Sequence, residues 1–413
     1  MKAVVFHGVG DIRVDEVEEP RLQESTDAIV RLTASALCGT DLHVVRGTMN
    51  GMKPGTILGH EGVGIVEEQG DEVRTLTPGD RVVICSTISC GTCPYCRAGH
   101  SSQCDAANPN GPRAGTAYFG GPKSSGAFHG LQAERARIPY ADGTCVKLPD
   151  EISDEQALLL SDVFPTGYFA AALADVKPGS TVAVFGCGPV GQFAIASAQL
   201  LGASRVFAID TVATRLETAS AQGAEVIDYE QEDPTEVLRI FTAGVGVDCA
   251  IDAVGVDANC AHSGPAAEHS HANRKLFKLE RKLVGPRRKP RGHNWHPGDA
   301  PSQVLSWAVE SLAKGGTLAV IGVYPETAIT FPIGKAMHKN LSVRMGHCNH
   351  RVYVPFLVEL VRTKQVDPVA ILNQPAPLHD PLEAYRAFDR RTADWTRVEL
   401  VADAQPMATP AQA

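Results

Sequence analysis

The apolar and polar positions divide this chain into two kinds of territory. Up to about residue 150, apolar residues come in short runs rich in strand formers: "KAVVF" (2–6), "AIVRLTASAL" (28–37), "GVGIVEEQG" (62–70) and "DRVVI" (80–84). Turn formers such as Gly70-Asp71 and Pro78-Gly79 separate them. Short runs bounded by such residues predict strands, here forming a small barrel or folded sheet. No 3.6-residue pattern of helical length precedes residue 155.

Near residue 150 the pattern changes. "SDEQALLLSDVFPTGYFAAALADV" (153–176) has apolar residues at helical spacing, with Ser153 as N-cap and Gln156 three residues on. "STVAVFGCGPVGQFAIASAQLLGASRVFAID" (180–210) then reads as strand, glycine turn, helix, strand. "AEVIDY" (224–229), "VDCAIDAV" (247–254) and "GTLAVIGV" (316–323) continue as apolar strands between helical segments. Alternating β and α elements predict a parallel, doubly wound sheet. After about residue 335 come a helix, "YVPFLVELVRTKQV", then "EAYRAFDRR" and a strand-like "TRVELV". The tail, 402–413, has the composition of a segment without fixed structure.

Size and charge narrow the picture. With 413 residues the chain has room for two or three domains. The 38 basic and 47 acidic residues leave a formal charge of −9, which argues against nucleic acid or an anionic membrane as partner. No apolar run approaches the roughly 20 residues of a membrane helix. The chain opens on strand-like sequence rather than a charged-then-apolar signal, so the expected location is cytoplasmic, where thiols stay reduced.

Residues 257–300 break the rhythm. They hold nine Lys or Arg and five His against four acids: Asp257, Glu268, Glu280 and Asp299. The plain reading is a solvated insertion between a strand and the next helix; a subunit contact or a site lid is the alternative.

Three groups of residues carry chemistry. Eleven cysteines is an odd number, and four are packed as Cys90-x2-Cys93-x2-Cys96-x7-Cys104. In a reducing compartment that spacing suits a four-thiolate zinc site, although iron–sulfur ligation also uses close cysteines. The second group is Gly186-x-Gly188-x-x-Gly191, with Pro189 and Val190 inside it, between an apolar strand and an apolar helix. Asp210 ends the next strand. Such a turn brings backbone N–H groups and a helix N-terminus to a pyrophosphate, and the acid accepts from the adenosine ribose, favouring NAD over NADP. Arg215 either flanks the adenine or lies on the surface. The third group is "CGTDLH" (38–43) with "GHE" (59–61). Cys38 and His60 suit a catalytic zinc with three protein ligands and one open position; separately, each also reads as a core cysteine and a turn histidine.

Taken together these motifs resemble the zinc-dependent medium-chain dehydrogenases/reductases, the alcohol dehydrogenase superfamily. The run Gly59-His60-Glu61-x-x-Gly64, with Gly70 and Val73 following, is similar to that family's zinc signature. The resemblance covers roughly residues 1–256 and 302–400. It implies a GroES-like β-rich catalytic domain over 1–165, with a structural zinc lobe at about 85–110. A Rossmann NAD-binding domain over 166–334 follows, carrying the insertion at about 257–300. Residues 335–413 return to the catalytic domain and end in the tail.

The resemblance also implies roles. Cys90, Cys93, Cys96 and Cys104 would hold one structural zinc. Cys38 and His60 would hold a catalytic zinc, with Glu61 as a neighbour or transient ligand. Many family members have a third, cysteine ligand near the entry to the Rossmann domain; here "LLLSDVFPTGYFA" has none, and Asp162 stands there. That resembles the glutathione-independent formaldehyde dehydrogenase and aldehyde dismutase branch. A carboxylate oxygen binds zinc readily. Asp162 as a helix-end cap, or Cys145 or Cys187 as ligand, are the alternatives. Thr40 and His43 match a proton relay, with a turn threonine and a surface histidine as the plain readings. Thr166 matches the residue packing on the nicotinamide, and Asp41 holds the Cys38 loop.

The implied reaction is zinc-assisted hydride transfer between a small alcohol, or its aldehyde or ketone, and NAD, in a homo-oligomer of two or four subunits. The alternative is a formaldehyde or aldehyde dehydrogenase or dismutase acting on a hydrated aldehyde, a gem-diol, at the metal. A non-catalytic zinc-binding relative is disfavoured because the ligand and relay residues are all present. His347 and His350 carry no assignment.

Overall fold

The structure is a computed structural model. It describes residues 1–110, 115–286, 295, 297–371, 374–377, 381–391 and 398–401. The tail at 402–413, and residues 287–294 and 296 of the basic segment, lie outside the described residues.

The early strands form as their patterns predict. Lys2–Gly8 pairs antiparallel with Asp11–Glu16 and with Thr56–Ile57 in a three-stranded sheet. Ala28–Leu37, Gly62–Gln69, Arg81–Ile84 and Cys145–Lys147 pair antiparallel in succession in a larger sheet. That sheet also takes Val398–Val401, which lies antiparallel against Ala34 to Leu37, so the last described strand returns to the first unit.

The second unit is a six-stranded sheet in the order Glu225–Asp228, Arg205–Asp210, Thr181–Phe185, Val247–Asp252, Leu312–Val320, Ser342–Met345, with every neighbouring pair parallel. Alternate residues along Thr181–Phe185 enter cores on opposite faces: Ala183 and Phe185 on one, Val182 and Val184 on the other. Burial on both faces explains why these strands read as continuous apolar runs. The order reverses at Thr181–Phe185, and the crevice beyond the carboxyl ends of strands at such a reversal is where ligands bind. The sheet takes in Ser342–Met345, which lies past residue 334.

Four local features differ from the sequence reading. A helix, Gly39–Arg46, precedes residue 155. It shows no amphipathic stripe because Asp41 through Arg46 are all buried. The helical run from 153 to 176 is two helices, Asp154–Ser161 and Val163–Leu173. Ser153 caps the first as its sequence predicts, its side chain accepting from the N–H of Gln156. The break is Asp162, whose φ of −145° and ψ of −63° lie outside helical values. In the basic segment the chain forms a helix, Ala266–Val284, burying Phe277 and Val284. The carboxylate at the start of that segment, Asp257, is not solvated: it is 4 % exposed and packed beneath Gly39–Arg46. Among the described residues no helix is long and apolar enough to cross a membrane.

Candidate active site and metal centres

Cys38, His60, Glu61 and Asp162 come together between the two units. One ligand atom from each lies within 4.8 Å of all the others, and all four side chains are buried. Local folding aims each one. Cys38 caps the helix Gly39–Arg46, and its own N–H donates to Oδ2 of Asp41 at 3.0 Å. His60 and Glu61 precede the strand Gly62–Gln69. Asp162 occupies the break between two helices, so its side chain leaves the helical direction.

The two oxygens of Asp162 face different ways. Oδ2 lies 3.7 Å from Sγ of Cys38 and 3.5 Å from Nε2 of His60. Oδ1 lies 2.8 Å from Nε2 of His350 and accepts from the Thr166 hydroxyl at 3.2 Å. Nδ1 of His350 in turn lies 3.0 Å from Oγ1 of Thr87. Nδ1 of His60 lies 3.4 Å from Oδ1 of Asp41. Asp162 and His60 are thus each oriented by a further polar group, the arrangement metal ligands need.

Electrostatics agree with a cation site. Burial disfavours the charged form of His60, yet Asp41 and Asp162 outweigh it and hold its pKa well above the ordinary histidine value. Burial also opposes ionisation of Asp162, but His350 and His60 keep its pKa well below the usual carboxylate range. A thiol, an imidazole and two carboxylates are a donor set that fits zinc. Cys145 and Cys187 are not in the cluster. Cys145 packs in the core of the first unit, and the buried Cys187 side chain packs under the glycine turn.

The cleft above the cluster runs to the carboxyl ends of the parallel strands and is lined in part by Thr40, His43, Thr166, Gly188, Val190 and Asp210. Gly186 has φ of +89°, which a side chain would strain, and a Cβ there would come 2.4 Å from Val254. At Gly191 a Cβ would meet the Gly186 carbonyl oxygen at 1.8 Å, so the helix Pro189–Leu200 can approach the strand only through glycine. At Gly188 the nearest atom to a Cβ is Arg215 Nη1 at 3.9 Å, leaving open space beside a helix N-terminus, with Pro189 in the first turn. That shape and polarity suit a pyrophosphate. Asp210 accepts from the N–H groups of Cys187, Thr211 and Val212 at 2.8, 2.7 and 3.0 Å. Arg215 Nη1 stands 3.7 Å from its Oδ2. Burial raises the pKa of Asp210, but Arg215 and these N–H groups lower it overall.

The four clustered cysteines also converge, with sulfur atoms within 4.8 Å of one another. Successive turns aim them: the N–H of Cys93 donates to Cys90 Sγ at 3.3 Å, and that of Cys90 to Cys104 Sγ at 3.2 Å. Burial raises the Cys93 thiol pKa, but N–H groups of Cys96 and Asp105 outweigh it and bring it down to about 6. The short helix Pro94–Arg97 buries no residue, so the lobe has little apolar core of its own and a tetrathiolate metal fits as its support.

Sequence reasoning missed three groups that the fold brings here. His350 stands beside Asp162. Asp257 lies 2.8 Å from Nδ1 of His43. Arg391 lines the cleft and donates to the Asp257 carbonyl at 3.3 Å. A helix-start histidine and an acid after an apolar strand carry no local signal of what they will touch.

An antiparallel unit with two clusters of metal-binding side chains, joined across a cleft to a dinucleotide-type sheet, defines a zinc dehydrogenase of two lobes. Residues 24–150 match the family described as alcohol dehydrogenase GroES-like domain, and residues 189–264 that described as zinc-binding dehydrogenase. The chain is 36 % identical over 404 residues to an uncharacterized zinc-type alcohol dehydrogenase-like protein, AdhB, of Bacillus subtilis, covering 97 % of this chain and 100 % of that one. It is 34 % identical over 356 residues to a glutathione-independent formaldehyde dehydrogenase of Pseudomonas aeruginosa, covering 84 % and 80 %. The alcohol dehydrogenase TADH from Thermus sp. ATN1 superposes with a TM-score of 0.78 at 34 % identity, covering 97 % of this chain and 100 % of that structure. This chain belongs to the zinc-type alcohol dehydrogenases of the medium-chain dehydrogenase/reductase family, and is an oxidoreductase.

Proposed function

We propose that the protein transfers hydride between a small alcohol, or its aldehyde or ketone, and NAD. The convergence of Cys38, His60, Glu61 and Asp162, of which Cys38, His60 and Asp162 line the cleft that also reaches Gly188 and Asp210, carries this reading. Cys38, His60 and Asp162 would hold zinc, with Glu61 beside them; zinc would supply Lewis acidity toward a substrate oxygen, and NAD would accept the hydride. Thr40 and His43 are the groups that take the proton from the substrate hydroxyl and pass it to water. Thr166, which also lines the cleft, orients the nicotinamide. Gly186, Gly188, Pro189, Val190 and Gly191 seat the pyrophosphate. Asp210 binds the adenosine ribose and repels a 2′-phosphate, with Arg215 flanking it. Cys90, Cys93, Cys96 and Cys104 would hold a second, structural zinc.

A second reading is favoured by the carboxylate in the third ligand position and by the likeness to a formaldehyde dehydrogenase. In it the hydride comes from a hydrated aldehyde and the product is an acid. One experiment tests both: purified protein with added zinc is offered straight-chain and aromatic alcohols, formaldehyde and larger aldehydes, and reduction of NAD or NADP is followed by absorbance. Reduction of NAD by alcohols supports the first reading, and by aldehydes alone the second. No reduction of either nucleotide by any of them refutes both.

A further inference from the structure

The histidine assigned to the proton path is gripped from the opposite lobe. His43 is 6 % exposed, on the helix Gly39–Arg46. Its Nδ1 lies 2.8 Å from Oδ2 of Asp257 and 3.1 Å from Oγ1 of Thr48. Asp257 belongs to the parallel-sheet unit, in the short turn Gly255–Asp257 just past the strand Val247–Asp252.

That carboxylate is held on every side. Arg46 Nη1 donates to its Oδ2 at 2.9 Å, and the N–H of Gly298 to its Oδ1 at 3.2 Å. Arg391 donates to its backbone carbonyl. Charge balance alone does not demand it, because Nε of Arg46 already donates to Asp389 Oδ1 at 2.7 Å, and both groups are buried. A second buried carboxylate on one guanidinium carries a desolvation cost. Besides the Gly298 N–H and the Thr48 hydroxyl, which donates at 3.5 Å, Asp257 reaches the titratable ring of His43, at the shorter distance of 2.8 Å.

We propose that Asp257 is a positioning residue for the proton path, and that the path is complete only when the two lobes are docked. Asp257 accepts Nδ1–H of His43, which fixes the ring and leaves Nε2 as the atom that takes a proton from the cleft and returns it to water. The carboxylate stays ionised throughout and steadies the imidazolium that forms in between. A carboxylate so placed behind an imidazole sets its tautomer and orientation. The proposal rests on the reading of His43 as the relay.

The test uses the zinc-loaded full chain and the best substrate of the panel, and compares His43→Gln, Asp257→Asn, the double variant and Asp389→Asn. His43→Gln is expected to lower kcat about 100-fold. Asp257→Asn is expected to lower kcat about tenfold or more while the Kd for NAD changes less than about threefold, and the double variant to fall no further than His43→Gln. Asp389→Asn, which removes the other partner of Arg46 without touching His43, keeps kcat within about twofold. Should Asp257→Asn not fold, Asp257→Glu, which keeps the charge one methylene further out, takes its place in the same cycle. The proposal is overturned if the losses of Asp257→Asn and His43→Gln multiply, if Asp257→Asn keeps the full kcat, or if Asp389→Asn costs as much as Asp257→Asn. Full kcat in His43→Gln defeats instead the relay reading on which the proposal stands.

Discussion

Nε2 of His350 lies 2.8 Å from Oδ1 of Asp162, although 188 residues separate them in the chain. The contact turns the other oxygen of Asp162 toward Cys38 and His60. Thr87 holds the far side of the His350 ring, so its orientation is over-determined. His350→Ala is expected to weaken zinc at this cluster by about 10- to 100-fold, in line with losses of such supporting partners. Zinc per chain after dialysis against a graded chelator series reads this directly. Retention equal to that of the unmodified protein would falsify the supporting role of His350.

The two clusters proposed to hold zinc are expected to fail differently. Cys38→Ser removes a donor from a buried, well-packed cleft and should abolish turnover with little change in melting temperature. Cys93→Ser removes a donor from a lobe whose short helix, Pro94–Arg97, buries no residue. It should lower the melting temperature and open residues near 90–104 to protease, because metal binding there is folding energy. Metal analysis should give about one zinc per chain for each variant against two in the parent. Equal stability of both variants would contradict the assignment of the cysteine lobe.

Gly191→Ala places a methyl group 1.8 Å from the Gly186 carbonyl oxygen. The helix must then move off the strand, taking the proposed pyrophosphate seat with it. An increase of at least about tenfold in the Kd for NAD, equivalent to 1.4 kcal/mol, is expected from fluorescence titration. Gly188→Ala, where a Cβ has space, should be milder for folding yet still obstruct the dinucleotide.

Arg46 joins the lobes by donating to both Asp257 and Asp389. Arg46→Ala leaves two buried carboxylates without their shared cation, and a loss of about 3–5 kcal/mol at pH 7 is expected from denaturant unfolding. The pH dependence has a definite sign. Burial disfavours ionised Asp257, but His43 and Arg46 outweigh it and hold its pKa below the ordinary value. A carboxyl with a depressed folded-state pKa contributes stability that is complete above its unfolded pKa, about 3.9, and is lost as pH falls toward the folded one. The gap between Arg46→Ala and the parent should therefore be full at pH 7 and shrink as pH falls through the range where Asp257 takes up a proton in the variant but not yet in the parent. A gap that stays constant down to pH 3 would show that Asp257 contributes nothing through its charge.

Much of this was written in local sequence. The strands of the parallel sheet are apolar runs because both faces are covered, and the glycine turn with Asp210 is readable because its parts lie within one strand–helix–strand unit. The four cysteines of the lobe converge through turns between near neighbours. Cys38, His60 and Asp162 could be nominated by residue type and spacing, since their chemistry is their own. The break at Asp162 was not legible: helical spacing continues through it, and the partners that Asp162 meets there, Cys38, His60 and His350, come from distant segments. The helix Gly39–Arg46 was hidden because burial of nearly every side chain erased its stripe.

The sequence by itself therefore determined which elements form and which side chains bring donor atoms, because periodicity, turns and closely spaced ligands act over a few residues. Only the tertiary structure decided what orients those donors. His350 against Asp162 and Asp257 against His43 are contacts between distant segments, the first made where the chain returns to the first unit and the second where the two units dock, and in both buried charges find partners in one another.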